Sequence, residues 1–378
     1  MTYSIPFNKP HFTGKETKYI EDAVRRGKIS GNGYYTKNCH QFFEERYGFK
    51  KCLLTTSCTD ALEMCAILID IQPGDEVIMP SYTFVSTANA FILRGAKVLF
   101  ADSRKDFPGI DEDQIEALVT ERTKAIVVVH YAGISCDMVK IMDVANRNKL
   151  YVIEDAAQGI DSYFENKPLG GIGHLGCFSF HETKNISSGE GGMLCVNDDT
   201  FLKRAEIVWE KGTNRSAFFR GEVDKYSWVD LGSSFLPSEL VAAVLRAQLD
   251  KLDNIQDKRK QIFSRYAQNL KEWADKNGIA LPYHPEYATK NGHMFYMVLE
   301  DLDQRTKVIE NLKQNDVMAV FHYLGLHNSP YYEDKHKHGK LNQTNRYTDC
   351  LVRLPFYYDL DLKDVDMISN LIKAIEFN

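Results

Sequence analysis

The chain has 378 residues, 44% of them hydrophobic, and its 46 basic and 52 acidic side chains are interspersed to leave a formal net charge of −6. That length exceeds the size at which one hydrophobic core usually stops growing, so two domains are expected, and the charge balance recommends neither nucleic acid nor an anionic membrane as a partner. The first residues lack a basic segment followed by an apolar run, and no stretch reaches the ~20 apolar residues of a membrane span, so a cytoplasmic globular protein handling a small molecule is expected.

In chain order, residues 51–54 read as a strand, and Ser57-Cys58-Thr59-Asp60-Ala61-Leu62 opens an apolar-periodic helix over residues 60–70. Small hydroxyl residues at such a helix start leave N–H groups where the dipole favours a phosphate. Taken alone, an ordinary N-cap accounts for them more simply. Further strands are expected at 76–79, 97–100, 125–129, 151–154, 176–180 and 193–196, with a helix over 137–148. This alternation is what a sheet wrapped in helices requires. In open α/β sheets the ligand lies outside the carboxyl ends of the strands, which puts Asp155 and the segment 179–184 at the mouth of a site. Residues 211–234 are polar and aromatic with weak periodicity, a long excursion of the kind that is often functional. Beyond residue 250 the spacing predicts a helix over 254–277, a strand over 293–299, a helix over 306–314, a strand over 318–322 and a C-terminal helix over 364–375. That texture suits a smaller α+β domain.

Eight cysteines are scattered without a CxxC, and eleven histidines form no HxxxH pair beside a carboxylate. Reduced core cysteines and no metal site are the expectation.

Lys184 and the strand-end carboxylate Asp155 suggest pyridoxal phosphate chemistry. The cofactor needs a lysine amine for its Schiff base and an acid to keep its pyridine nitrogen protonated. The order of features strengthens this: a hydroxyl-rich helix start, then Asp155, then Ser179 and Lys184 beyond another strand.

Asp155-Ala156-Ala157-Gln158, the run from Phe178-Ser179-Phe180 to Lys184 and Gly189-Glu190-Gly191-Gly192 resemble the core of the DegT/DnrJ/EryC1/StrS sugar aminotransferases. Ile5-Pro6-Phe7-Asn8-Lys9-Pro10, Ser30-Gly31-Asn32-Gly33, Pro73-Gly74-Asp75-Glu76-Val77-Ile78 and Pro80-Ser81-Tyr82-Thr83-Phe84 resemble family landmarks in the same order. The resemblance implies the fold type I, aspartate aminotransferase-like architecture: a large mixed-sheet α/β domain, residues 1–250, and a small C-terminal α+β domain, residues 251–378. Within the family, Lys211-Gly212-Thr213-Asn214-Arg215-Ser216 and His181-Glu182-Thr183 are similar to enzymes that aminate C4 of dTDP-4-keto-6-deoxy-glucose.

The same resemblance implies that Lys184 carries the Schiff base, Asp155 pairs with the pyridine nitrogen, Gln158 bonds the cofactor's 3-oxygen and Phe84 stacks on its ring. Cys58, Thr59 and Ser179 fall where the family binds phosphate, and His322, Tyr323 and His327 fall in a substrate-side segment. Where many relatives carry Gly-Tyr-Asn-Tyr-Arg, this chain has Gly232-Ser233-Ser234-Phe235-Leu236, so Ser234 stands in for an asparagine that reaches the partner subunit's phosphate in a homodimer. L-glutamate is the implied donor and a 4-amino-4,6-dideoxy hexose the product, galacto slightly favoured over gluco. A 3-keto sugar aminotransferase, a pyridoxamine-dependent dehydratase and a noncatalytic protein on the same fold are the alternatives. The dehydratases typically replace the lysine with histidine, and Lys184 argues against that reading.

Overall fold

The computed structural model describes residues 3–336 and 339–377. Its strands are β1 (Lys51–Thr55), β2 (Glu76–Pro80), β3 (Lys97–Ala101), β4 (Thr123–Val129), β5 (Tyr151–Asp155), β6 (Tyr163–Phe164), β7 (Lys167–Pro168), β8 (Leu175–Ser179), β9 (Gly192–Val196), β10 (Tyr296–Val298) and β11 (Leu351–Arg353). Seven of them form one sheet in the order β1-β9-β8-β5-β4-β2-β3. β3, β2, β4, β5 and β8 run parallel, and β9 is antiparallel to both of its neighbours, β8 and β1. Every strand of this sheet but β9 therefore points its carboxyl end toward the same edge.

The sheet is buried on both faces, and the side chains show how. Along β4, Ile126 and Val128 enter one core while Ala125 and Val127 enter another, as the period of two demands. The first core is closed by the helices Tyr34–Tyr47, Met138–Asn148 and Glu239–Leu249, through residues such as Phe43, Ile141 and Ala242. The second is closed by Cys58–Leu68, Val85–Ile92 and Leu202–Trp209, through Leu62, Phe91 and Val208. All eight cysteines are free, and seven are buried.

A third core belongs to the C-terminal part, where Ile262, Leu312, Val352 and Ile368 meet under the antiparallel pair β10–β11. The long helix Leu252–Lys276 joins the parts. Its first turns bury Leu252 and Ile255 in the large core, and from Ile262 onward it serves the small one. Ile5 also packs in the small core, with its backbone bridged to Val317, so the N-terminal strap crosses to the far side of the boundary expected at residue 250.

Two expected strands differ. The one over 293–299 is confined to Tyr296–Val298, because its partner β11 has only three residues. The one over 318–322 does not form. Val320 exchanges two backbone hydrogen bonds with Arg353, of 3.1 and 2.7 Å, and then the chain turns away to supply His322 and Tyr323 to a cavity wall.

Candidate active site

A cavity of about 590 Å³ opens at the shared carboxyl edge of the sheet. β1 leads through Ser57 into the helix Cys58–Leu68. The Ser57 hydroxyl accepts the Asp60 N–H at 3.1 Å, so the N-cap reading holds for that residue. Cys58 and Thr59, in the first turn, line the cavity. First-turn N–H groups have no intrahelical partner and sit at the positive end of the dipole, so this corner suits an anion. Thr59 Oγ1 donates to Ser86 Oγ at 2.7 Å, and its hydroxyl would turn that proton to an anion held in this corner. Ser179, at the end of β8, accepts the His181 N–H at 3.4 Å, which leaves its own proton to donate. The glycines of the 189–192 run have a steric reason at one position: a Cβ on Gly192 would lie 2.3 Å from the Ser57 carbonyl carbon. Only glycine lets β9 pass this close to the helix start.

Asp155 ends β5 on the cavity floor, 6% exposed. Thr87 Oγ1 donates to its Oδ2 at 2.7 Å and the Ala157 N–H donates to Oδ1 at 3.2 Å. Burial pushes the Asp155 pKa up, while these two donors and the Lys184 charge pull it down. Lys184 lies on the turn after β8, its own N–H donating to the His181 carbonyl at 2.9 Å. Burial lowers its ammonium pKa, and Cys58 and Asp155 oppose that shift. A buried amine with a lowered pKa is what a nucleophilic or proton-shuttling lysine requires.

Gln158 is held at both ends of its amide. Oε1 accepts the Ala132 N–H at 2.6 Å, and Nε2 donates to the Tyr323 hydroxyl at 3.1 Å, leaving one N–H for a ligand. Tyr323 stacks on His322 with ring centroids 3.6 Å apart, and His322 Nδ1 lies 2.7 Å from the Tyr131 hydroxyl. Phe84 is 57% exposed although it lines the cavity, with the Tyr323 ring tilted beside it at 6.4 Å between centroids.

Nine expected residues therefore line one cavity: Cys58, Thr59, Phe84, Asp155, Gln158, Ser179, Lys184, His322 and Tyr323. Two do not. His327 is buried with its Nδ1 2.7 Å from Ser81 Oγ, tying the loop to the end of β2 rather than facing the cavity. Ser234 is exposed and bridged to Glu210, away from this chain's own cavity. Sequence reasoning missed Thr87, His293 and Arg353. Thr87 lies three residues beyond the landmark run 80–84, and Arg353 lies before Leu354-Pro355 with no spacing to mark it. His293 Nδ1 pairs with Asn185 Oδ1 at 2.7 Å, and burial pushes its pKa well below the usual histidine value.

Residues 10–373 match the model of the DegT/DnrJ/EryC1/StrS aminotransferase family. The spore coat polysaccharide biosynthesis protein SpsC of Bacillus subtilis is 30% identical over 380 residues, covering 98% of this chain and 97% of SpsC. DesV of S. venezuelae, solved in complex with a ketimine intermediate, superimposes with a TM-score of 0.88 at 25% identity, over 100% of both chains. Spr1654 of Streptococcus pneumoniae, solved in a PLP form, gives a TM-score of 0.90 at 24% identity and 98% coverage of each chain.

Proposed function

The chain belongs to the DegT/DnrJ/EryC1/StrS aminotransferase family, and from that premise we propose that it is a cytoplasmic homodimer that aminates C4 of dTDP-4-keto-6-deoxy-D-glucose. L-glutamate is the donor and pyridoxal 5′-phosphate the cofactor, and a dTDP-4-amino-4,6-dideoxy hexose for surface polysaccharide is the product. The observation that carries the chemistry is the convergence of Lys184, Asp155 and the hydroxyls of Thr59 and Ser179 on one cavity.

The residues present fit the cofactor. The first turn of Cys58–Leu68 with Thr59 and Ser179 would hold the phosphate, Asp155 the protonated pyridine nitrogen, Gln158 the 3-oxygen, and the uncovered ring of Phe84 one face. When bound, the cofactor supplies an electron sink for the carbon that exchanges its proton. Asp155 serves that sink by remaining a carboxylate, for which Thr87 and Ala157 are the positioned donors. Lys184, its pKa lowered by burial, is placed to take the proton from the donor's Cα and return it on the cofactor side, then to act in reverse on sugar C4. His322 and Tyr323, stacked on each other and backed by Tyr131, line the cavity and offer imidazole and hydroxyl groups to the hexose.

Support for the C4 substrate comes from the runs 181–183 and 211–216; His181 and Thr183 line the cavity. A noncatalytic protein is disfavoured because such a protein has no need to hold both Lys184 and Asp155 in one pocket. Incubation with glutamate and dTDP-4-keto-6-deoxy-glucose, and separately with the 3-keto isomer, tests the reading. Amination of the 3-keto sugar alone would refute it. A small H3–H4 coupling in the product's NMR spectrum identifies the galacto epimer, and a large one the gluco.

A further inference from the structure

His293 lines the same cavity as Lys184, from the loop that precedes β10, and is buried. The helix Leu252–Lys276 fixes the backbone of that loop: Arg259 donates from Nε to the Gly292 carbonyl at 2.9 Å and from Nη2 to the His293 carbonyl at 2.7 Å. The imidazole is fixed separately, by the residue that follows the lysine. Asn185 Oδ1 lies 2.7 Å from His293 Nδ1. Asn185, Gln256, Asn291 and His293 are all buried, so the polar atoms of this cluster need partners of the right sense.

The sense of each bond follows from backbone carbonyls, which can only accept. Asn291 Nδ2 donates to the carbonyls of Gln158 and Ile160 at 2.7 and 2.9 Å, and its Oδ1 accepts the His293 N–H at 3.0 Å. Gln256 Nε2 reaches the Ile160 carbonyl at 3.4 Å, so Gln256 Oε1 is the acceptor for Asn185 Nδ2 at 2.8 Å. Asn185 Nδ2 gives its second proton to the Asn291 carbonyl at 3.1 Å. Asn185 must therefore turn its own oxygen to His293, and His293 Nδ1 must carry the hydrogen. Nε2 is then a bare lone pair, without a partner among the described residues. Burial, which drives the His293 pKa well below the usual histidine value, keeps the ring neutral.

We infer that His293 Nε2 accepts the hydroxyl on C3 of the keto sugar, and that Asn185 is the positioning residue that holds the ring in its accepting tautomer. The inference rests on the C4 reading and names the sugar group that the site selects. A bare ring nitrogen needs an O–H or N–H donor, so it cannot serve the keto oxygen, itself an acceptor. Transfer at C4 brings that carbon to the Lys184 amine, and a wall residue close enough to feel the Lys184 charge meets what flanks C4. C3 carries a hydroxyl, whereas C5 carries the ring oxygen and the methyl group of a 6-deoxy sugar. The C3 hydroxyl is the one donor of that set. The Lys184 amine is the competing donor, but its charge partners Asp155 and Cys58 belong to the large-sheet wall, and His293 comes from the small domain.

The test gives the cofactor-loaded enzyme, with glutamate as donor, either dTDP-4-keto-6-deoxy-glucose or its 3-deoxy analogue. The ratio of kcat/KM between the two sugars should be about 10 to 100 in wild type, because the analogue leaves a buried acceptor unpaired. In His293→Phe the ratio should collapse toward one. Asn185→Ala, which frees the ring to turn or to change tautomer, should lower it as well. General damage from either substitution strikes both sugars and cancels in the ratio. A nitrogen NMR spectrum of histidine-labelled wild type reads the tautomer directly and should show His293 with a protonated Nδ1 and a bare Nε2. A wild-type ratio near one would give the lone pair to Lys184 and overturn the assignment, and so would a protonated Nε2; both measurements decide even if the phenylalanine variant fails to fold. An undiminished ratio in a folded His293→Phe overturns it too, and one in Asn185→Ala removes Asn185 as the positioning residue. Failure of the C4 reading is distinguishable, because wild type would then aminate neither sugar, and the inference would fall with it.

Discussion

Thr87→Val removes one hydroxyl from beneath the cavity floor and leaves the side-chain volume nearly intact. Thr87 is 1% exposed in the helix Val85–Ile92, accepts from or donates to Thr83 Oγ1 at 2.9 Å, and donates to Asp155 Oδ2 at 2.7 Å. An ionised carboxylate has no proton to give, so the direction of the last bond is settled, and Thr83 must then donate to Thr87. Hydrogen bonds to charged groups contribute about 1.5–3 kcal/mol, or roughly one to two pKa units at 1.36 kcal/mol per unit. The valine variant should therefore raise the Asp155 pKa further in the direction that burial already pushes it, and weaken its hold on a protonated pyridine nitrogen. If that loss is expressed in full at the transition state, the glutamate half-reaction slows by about 10- to 100-fold. The assay is single-turnover bleaching at saturating glutamate, with a pH titration of the visible band beside it. Thr87→Ser keeps the hydroxyl and should retain the rate within a few-fold. Wild-type rates in Thr87→Val, or equal damage from serine and valine, would show that Thr87 acts by packing and not by its hydroxyl.

Lys184→Ala should abolish both turnover and the visible absorbance of lysine-bound cofactor; wild-type-like activity would end the assignment. Asp155→Ala should cost on the order of 10² or more in rate, since several kcal/mol of charge stabilisation are lost, and a fall below about tenfold would mean that another group protects the pyridine proton. Ser234→Ala should loosen cofactor retention by about 1 kcal/mol if its hydroxyl reaches the phosphate of a second subunit, which equilibrium dialysis measures; unchanged affinity, or a fully active monomer, would remove Ser234 from the site. His40 gives a prediction independent of the active site. Its Nε2 accepts the Leu54 N–H at 2.8 Å, and burial lowers its pKa to about 3. The unfolded chain takes up that proton near the ordinary value of about 6.5 and the folded one does not, so stability should fall as pH drops below about 6.5, by about 1.4 kcal/mol per pH unit. His40→Gln should flatten that part of the profile, read from urea midpoints, and an unaltered slope would refute the argument.

The strands of the large sheet were legible because each is a short apolar run that both faces bury, and Ala125-Ile126-Val127-Val128-Val129 is almost the whole of β4. The helices Glu16–Arg25 and Tyr34–Tyr47 were not named. The second carries buried Tyr35, Cys39 and Phe43 among polar neighbours, and its start depends on a distant residue: Glu239 accepts the N–H groups of Gly33, Tyr35 and Thr36 at 2.9, 2.7 and 3.1 Å. A cap supplied from 200 residues away leaves no local signature. The missing strand at 318–322 has the same origin, since Val320 could extend a ladder only if β11 continued, and β11 stops at Arg353.

The site divides along the same line between local and distant causes. Asp155, Ser179 and Lys184 stand out in the sequence because they lie at or just beyond the carboxyl ends of apolar strands, whereas Gln158 is marked only by the resemblance to the family. Thr87 and Arg353 act through contacts that chain position does not announce: one supports Asp155 across 68 residues, and the other faces the cavity from β11. Their environments make them identifiable in three dimensions. A hydroxyl bonded to a buried carboxylate can be there to hold its charge, and a partly buried guanidinium on the cavity wall presents its charge to whatever binds there. For such residues it is the unsatisfied or committed polar atom that separates function from packing.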